Sequence, residues 1–399
     1  MVKNLFNYLF LLMTFTAITM TSCGDDDDGN TTGNEVSYDL EEKSDSGVSG
    51  EIEFKELESG EIQAEISLSG TSDGGTHPAH VHLNSAALGG DILISLTPVA
   101  GATGSSVTIF SQDDNGNALT FADIDNLDTY VNIHLSSSEL NVIVAQGDIG
   151  VNLFTGESKS YDLDERAVAG ISGDITFRER KNGNALAVIN LEGTPDGGEH
   201  PAHIHMNSAA ESGGILLSLT PVDGTTGISE TEIRTADDGT AFDYNDILIT
   251  NAYVNVHLSA TELATIVAQG DIGSNELTGE EETFDLDEKD APGISGEVKF
   301  EERIDGTILA TITLEGTPDG GMHPAHIHEN DAATSGPIAV SFNAVDGTTG
   351  ISRTSIRALD DGTALNFQSL KIFDGYVNVH LSATDLATIV AQGNIGINN

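Results

Sequence analysis

Apolar residues alternate with polar or small ones, with a period of two, through long stretches of this 399-residue chain. GEIEFKE from Gly50 and GEIQAEISLSG from Gly60 show it, as do GEVKFEE from Gly296 and GTILATITLEG from Gly306. That period describes strands with one buried and one wet face. Gly, Asp and Asn punctuate the segments at short intervals and mark turns. Further strands are expected over Ile92–Val99, Val107–Phe110 and Thr129–Leu135. Thr120 with Asp123, and Ser136 with Glu139, have capping-box spacing, which predicts a helical turn on either side of the last of these strands. Many short strands at this turn spacing predict a β-sandwich.

The pattern repeats. TGNEVSYDL from Thr32, TGESKSYDL from Thr155 and TGEEETFDL from Thr278 open three copies, which close on QGDIG, QGDIG and QGNIG. The copies span 32–154, 155–277 and 278–399. A period this long is a domain rather than a solenoid unit, since those run to ~20–50 residues. Each copy has enough chain to bury a core, so isolated copies are expected to fold.

The N-terminus reads as an address. Lys3 precedes an apolar run from Leu5 to Met20, and the order fits a secretory signal over residues 1–22. The run is shorter than the ~20 residues of a membrane span. Cys23 is the only cysteine, and Met-Thr-Ser-Cys resembles the lipobox of bacterial lipoproteins, which implies acylation of Cys23. The acidic tether, residues 23–31, contains Asp25 to Asp28 and resembles the signal that sends Bacteroidetes-type lipoproteins to the cell surface. A surface-exposed outer-membrane lipoprotein is expected, with the periplasmic face as one alternative and an ordinary signal peptide beside an unrelated thiol as another. Contact with the membrane is expected only through the lipid on Cys23.

Charge narrows the partners. Lys plus Arg number 15 against 64 Asp plus Glu, a net charge of −49, which repels phosphate backbones and excludes nucleic acid. The acidic strings QDDNG at 112–116, ADDGT at 236–240 and LDDGT at 359–363 are hairpin signals, and none has the ligand spacing of a calcium loop.

All twelve histidines fall into one motif. The sets are His77, His80, His82 and His134; His200, His203, His205 and His257; and His323, His326, His328 and His380, with matching members 123 residues apart. His80 and His82 are separated by one residue, so on a strand they share a face while Ala79 and Val81 point to the core. On the later strand Tyr130, Asn132 and His134 share a face. If the two strands are neighbours, three neutral imidazoles converge into a site for copper or zinc. His80, His82 and His134, with His203, His205, His257, His326, His328 and His380, are therefore the candidate ligands. His77, His200 and His323, with Asn132, Asn255 and Asn378, are placed around them to orient the rings. Asn84, Asn207 and Asn330, two residues past each H-x-H, are expected on the ligand face. The alternative is a metal-free staple between strands. The sequence shows no acid or cation recurring close to the motif, since Glu329 is matched by Leu83 and Met206.

Two families share these residues. A-H-I-H, a following G-x-x-x-x-S-L strand and Y-V-N-V-H resemble the chordin-type (CHRD) domain over most of each copy, although the family's G-E-I-R-G-Q ending lacks its Arg here. That resemblance implies an immunoglobulin-like or related sandwich and, for chordin, extracellular protein binding. EGTPDGGMHPAHIHEND at 315–331, with the later VNVHLSATDL, resembles the copper-binding strands of Cu/Zn superoxide dismutases. It implies copper ligands at His326, His328 and His380 and a structural role for His323, with the equivalent residues in the other copies. No His lies between each H-x-H and the last His, so that family's bridging His and zinc site are missing, as are its cysteines and guiding Arg.

The expected fold is all-β: three tandem Greek-key β-sandwich domains with one or two short helical turns each. The expected function is a lipid-anchored surface protein with a non-catalytic binding or structural role, an unidentified extracellular protein or surface ligand as partner, and three possible copper or zinc sites. The alternative is a metal-dependent redox enzyme of superoxide dismutase type.

Overall fold

Alternation becomes strand wherever it is strongest. A computed structural model describes residues 30–72 and 74–399; the signal sequence, Cys23 and residues 24–29 of the tether lie outside the described residues. In the first copy the strands are β1 (Thr31–Glu42), β2 (Ser49–Leu57), β3 (Ile62–Ser69), β4 (Thr76–Leu83), β5 (Ile92–Ala100), β6 (Ser105–Phe110), β7 (Asp128–Ser136) and β8 (Glu139–Gly150). β2 and β3 pair antiparallel with Ile52 opposite Ile66 and Phe54 opposite Ala64, all four buried. Their polar neighbours Glu51, Glu53 and Glu65 take the other face, as a period of two requires.

The strand order is β1-β2-β3-β6-β5-β4-β7-β8, and it closes because β8 also pairs with β1 through Glu41–Gln146 and Glu42–Ala145. β3 lies beside β6, not beside β4, so the chain crosses from one side of the core to the other in Greek-key fashion. The two faces of the expected sandwich are joined at their edges, and in the first copy the eight strands form a closed barrel. The second copy has eight strands in the same order, and the third has the same path with its counterparts of β4 and β5 each split into two short strands. Among the described residues, no strand of one copy is shared with another copy's sheet.

Each copy has one helical turn among the described residues: α1 (Phe121–Ile124), α2 (Tyr244–Ile249) and α3 (Phe367–Leu370). The Thr120–Asp123 capping box caps α1 as expected. The Ser136–Glu139 box does not form. Ser136 pairs with Glu139 across a two-residue hairpin loop between β7 and β8, and the Ser136 and Ser138 hydroxyls bond at 3.0 Å. Extended strands on both sides leave that spacing no room to wind into a helix.

Candidate metal centre

The two histidine-bearing strands are neighbours. β4 and β7 pair antiparallel with Ala79 opposite Ile133, His80 opposite Asn132, Val81 opposite Val131 and His82 opposite Tyr130. Ala79, Val81, Val131 and Ile133 are fully buried in the core, which turns His80, His82 and His134 to the outer side of the barrel wall. Their ring nitrogens lie within 4.8 Å of one another, and the same holds for His203, His205 and His257 and for His326, His328 and His380. Each copy thus carries a three-histidine group that could hold a metal ion.

Backbone carbonyls select which nitrogens face inward. His82 Nδ1 lies 3.0 Å from Gly90 O, as does His205 Nδ1 from Gly213 O and His328 Nδ1 from Gly336 O. The last histidine of each set bonds through Nδ1 to the carbonyl of Leu140, Leu263 or Leu386, at 2.6 Å and 2.8 Å in the second and third copies. A carbonyl only accepts, so these Nδ1 atoms carry the proton and each Nε2 keeps its lone pair for the centre of the group. His80 faces them with Nδ1, 3.1 Å from His134 Nε2, and His203 Nδ1 stands equally far from His257 Nε2. Nitrogens bonded to one tetrahedral ion at ~2.0–2.1 Å are separated by about 3.3 Å, so this spacing fits ligands of one ion.

The inward atoms are poorly satisfied otherwise. Nε2 of His82, His205, His328 and His380, and Nδ1 of His326, are buried without a hydrogen-bond partner. Such an orphan costs roughly 1–3 kcal/mol, and an ion at the centre would engage them together. Burial and the neighbouring imidazoles hold His80, His203 and His326 below the ordinary histidine pKa. Burial likewise lowers His134, His257 and His380 against the pull of their carbonyl partners. All six favour the neutral, ligating form at pH 7.

The surrounding residues divide differently from the sequence expectation. His77 does not touch a ligand ring: its Nδ1–H donates to the carbonyl of His134 at 3.1 Å, and His200 and His323 repeat this at 3.2 Å. It fixes the backbone beneath a ligand, buried to 2 % exposure. Asn132, Asn255 and Asn378 each accept a 2.8 Å bond from Gln146, Gln269 or Gln392, which ties β7 to β8 and its counterparts rather than orienting a ring. Asn84, Asn207 and Asn330 leave the ligand face because β4 has already ended. They take left-handed backbone at φ +69, +69 and +66°, and their amides hold the following loop at the carbonyls of Gly89, Ser212 and Ser335.

An acid does recur beside the site, contrary to the sequence reading. Asp114, Asp237 and Asp360 lie one repeat apart in the three acidic turns, and each accepts from both the backbone N–H and the hydroxyl of Ser95, Ser218 or Ser341. Those serines stand directly opposite His80, His203 and His326 in the sheet. The carboxylate charge partly offsets the downward shift of each of these histidines. Both Asp oxygens are anchored on the serine, so the group supplies charge rather than a free proton donor. The acidic strings are turns, as expected: Asp113 accepts the backbone N–H groups of Asn115 and Asn117.

Comparison with protein-family models, curated proteins and solved structures finds no match for this chain. The likeness to CHRD and superoxide dismutase domains therefore rests on the sequence motifs.

Proposed function

We propose that the protein is a lipid-anchored surface protein whose three domains each bind one copper or zinc ion, in a binding or structural role rather than a catalytic one. The observation that carries the metal reading is the orientation of the rings: carbonyls accept from the Nδ1–H of two histidines in every copy, which turns their Nε2 lone pairs inward, and in the third copy none of the three inward nitrogens has a protein partner. Neutral imidazoles without thiolate or carboxylate ligands suit copper and zinc over the harder cations. The non-catalytic reading is supported by the anchored aspartate, which leaves no proton donor free at the metal. Cys23 and the acidic run behind it support export and anchoring.

Elemental analysis of residues 24–399 after copper or zinc loading and desalting tests the metal. Three equivalents per chain are expected, one for each histidine group. His80→Ala with His82→Ala should remove one of them. A chain that retains no metal at pH 7 overturns the proposal.

A further inference from the structure

The three copies are alike at the histidines and differ where they touch. Positions 57, 180 and 303, one repeat apart, hold Leu57, Arg180 and Arg303. Arg180 is 1 % exposed, and its guanidinium reaches Asp148 of the preceding copy at 2.7 Å and Glu232 of its own at 2.8 Å, as well as the carbonyl of Asn152. Arg303, fully buried, reaches Asp271 of the second copy at 2.7 Å and the Ser355 hydroxyl at 2.7 Å. A second contact flanks each: Arg234 bonds Asp128 at 2.7 and 3.0 Å, and Arg357 lies 3.3 Å from Glu211.

The first copy has none of these groups on the corresponding face. Leu57, Ile109 and Ser111 stand where the second copy has Arg180, Glu232 and Arg234. At the far end, Asn394 stands where Asp148 and Asp271 occur in the first two copies. The arginine half of the contact is present in the copies that have one before them, and the aspartate half in those that have one after. Connectors are short as well: β8 ends at Gly150 and the next strand, Phe154–Glu165, begins four residues on. Asn152 in that connector is fully buried and donates to the carbonyls of Asn84 and Thr129 of the first copy, and Asn275 repeats this with Asn207 and Ala252.

We propose that this buried arginine latch fixes each copy against the one before it, so that the three are presented as one rigid array with a set order, and that the outer faces of the first and third copies are unlatched ends. Domains joined in one chain move relative to one another by default. A buried guanidinium restricts that freedom because any swing that parts Arg180 from Asp148 breaks a 2.7 Å charge-assisted contact and uncovers a guanidinium that is 1 % exposed. The latch therefore selects one geometry, and the partner each face fits is a neighbouring copy with the complementary half.

Distance measurement between nitroxides tests it. Labels on the exposed positions Ser67→Cys in the first copy and Glu192→Cys in the second report the inter-copy separation in residues 24–399, which contain no other cysteine. A single narrow distance distribution is expected, at least doubling in width in Arg180→Leu/Glu232→Ile and in Asp148→Asn. Each variant installs what another copy carries at the same position, so the sheet accommodates it, and circular dichroism checks that it has. A parent distribution as broad as the variants', or either variant remaining as narrow as the parent, overturns the latch.

Discussion

Tyr130 lies flat against His82, with ring centroids 5.0 Å apart and planes 20° from parallel, and Tyr253 on His205 and Tyr376 on His328 repeat the stack at 5.0 Å. The ring is clamped on its other edge by Gly90 O, so its Nε2 has one direction in which to point. Gly90 itself has no room for a side chain, since a Cβ would stand 2.1 Å from Leu83 O. Tyr130→Ala should free the ring and weaken metal binding in the first copy by about 10–100-fold, the usual cost of losing an orienting partner. Competition against a chelator of known affinity reads it, and an unchanged first-copy affinity would show that the stack does no orienting.

Metal should stabilise the fold it binds. An ion that binds only the folded form at a free concentration one hundred times its dissociation constant contributes ~2.7 kcal/mol. The melting temperature of residues 278–399 should rise on adding copper and return on adding chelator. His380→Ala should remove most of the rise. An excised copy that melts at the same temperature with and without copper counts against the site.

Superoxide turnover should not exceed that of free copper. The sequence lacks the bridging histidine and guiding arginine of the dismutases it resembles, and a net charge of −49 repels an anionic substrate. Stopped-flow decay of superoxide with the copper-loaded chain measures this directly. Turnover above the free-ion rate that disappears stepwise in His134→Ala, His257→Ala and His380→Ala would make the chain an enzyme.

Acid should destabilise the metal-free protein. Burial holds His80, His134, His203, His257, His326 and His380 below the ordinary histidine pKa of about 6.5. The unfolded chain therefore takes up protons first, so this contribution is fully present above the unfolded value and is lost as pH falls from 6.5 toward the lower folded values. Urea midpoints should drop between pH 7 and pH 5, and less steeply in His134→Gln/His257→Gln/His380→Gln. Equal slopes in parent and variant would mean that other groups carry the effect.

Cys23→Ala should release the mature protein from the membrane fraction, and replacing Asp25 to Asp28 with Ala should leave it acylated but protected from protease added to intact cells. Parent protein that survives such treatment contradicts surface display.

Much of the fold was legible because a one-sided strand writes itself into the sequence, and Ala79–Val81 and Val131–Ile133 mark the core face without ambiguity. The same parity placed the histidines on the opposite face. Asp114 was not legible beside His80, because the two meet only through Ser95 on β5, 19 residues from the acid. Ser136–Glu139 misled because a Ser-x-x-Glu string suits a helix cap and a tight hairpin equally, and only the register of β7 on β8 decides between them. The interface arginines had a readable signal. It lay in the positions at which copies disagree, Leu57 against Arg180 and Arg303, and not in the motif they share.

The connector Val151-Asn152-Leu153, with Asn152 locked into the first copy, has a consequence for what can bind. Flexible linkers let tandem modules search for their targets independently, and their avidity falls off gently with linker length. Short, pinned connectors instead make the spacing of the three sites a property of the fold. A partner with repeated metal-seeking groups at the matching interval gains multiplicatively from each further contact, while one with the wrong interval binds through a single site only. Selection among partners would then be made by their periodicity as much as by their chemistry.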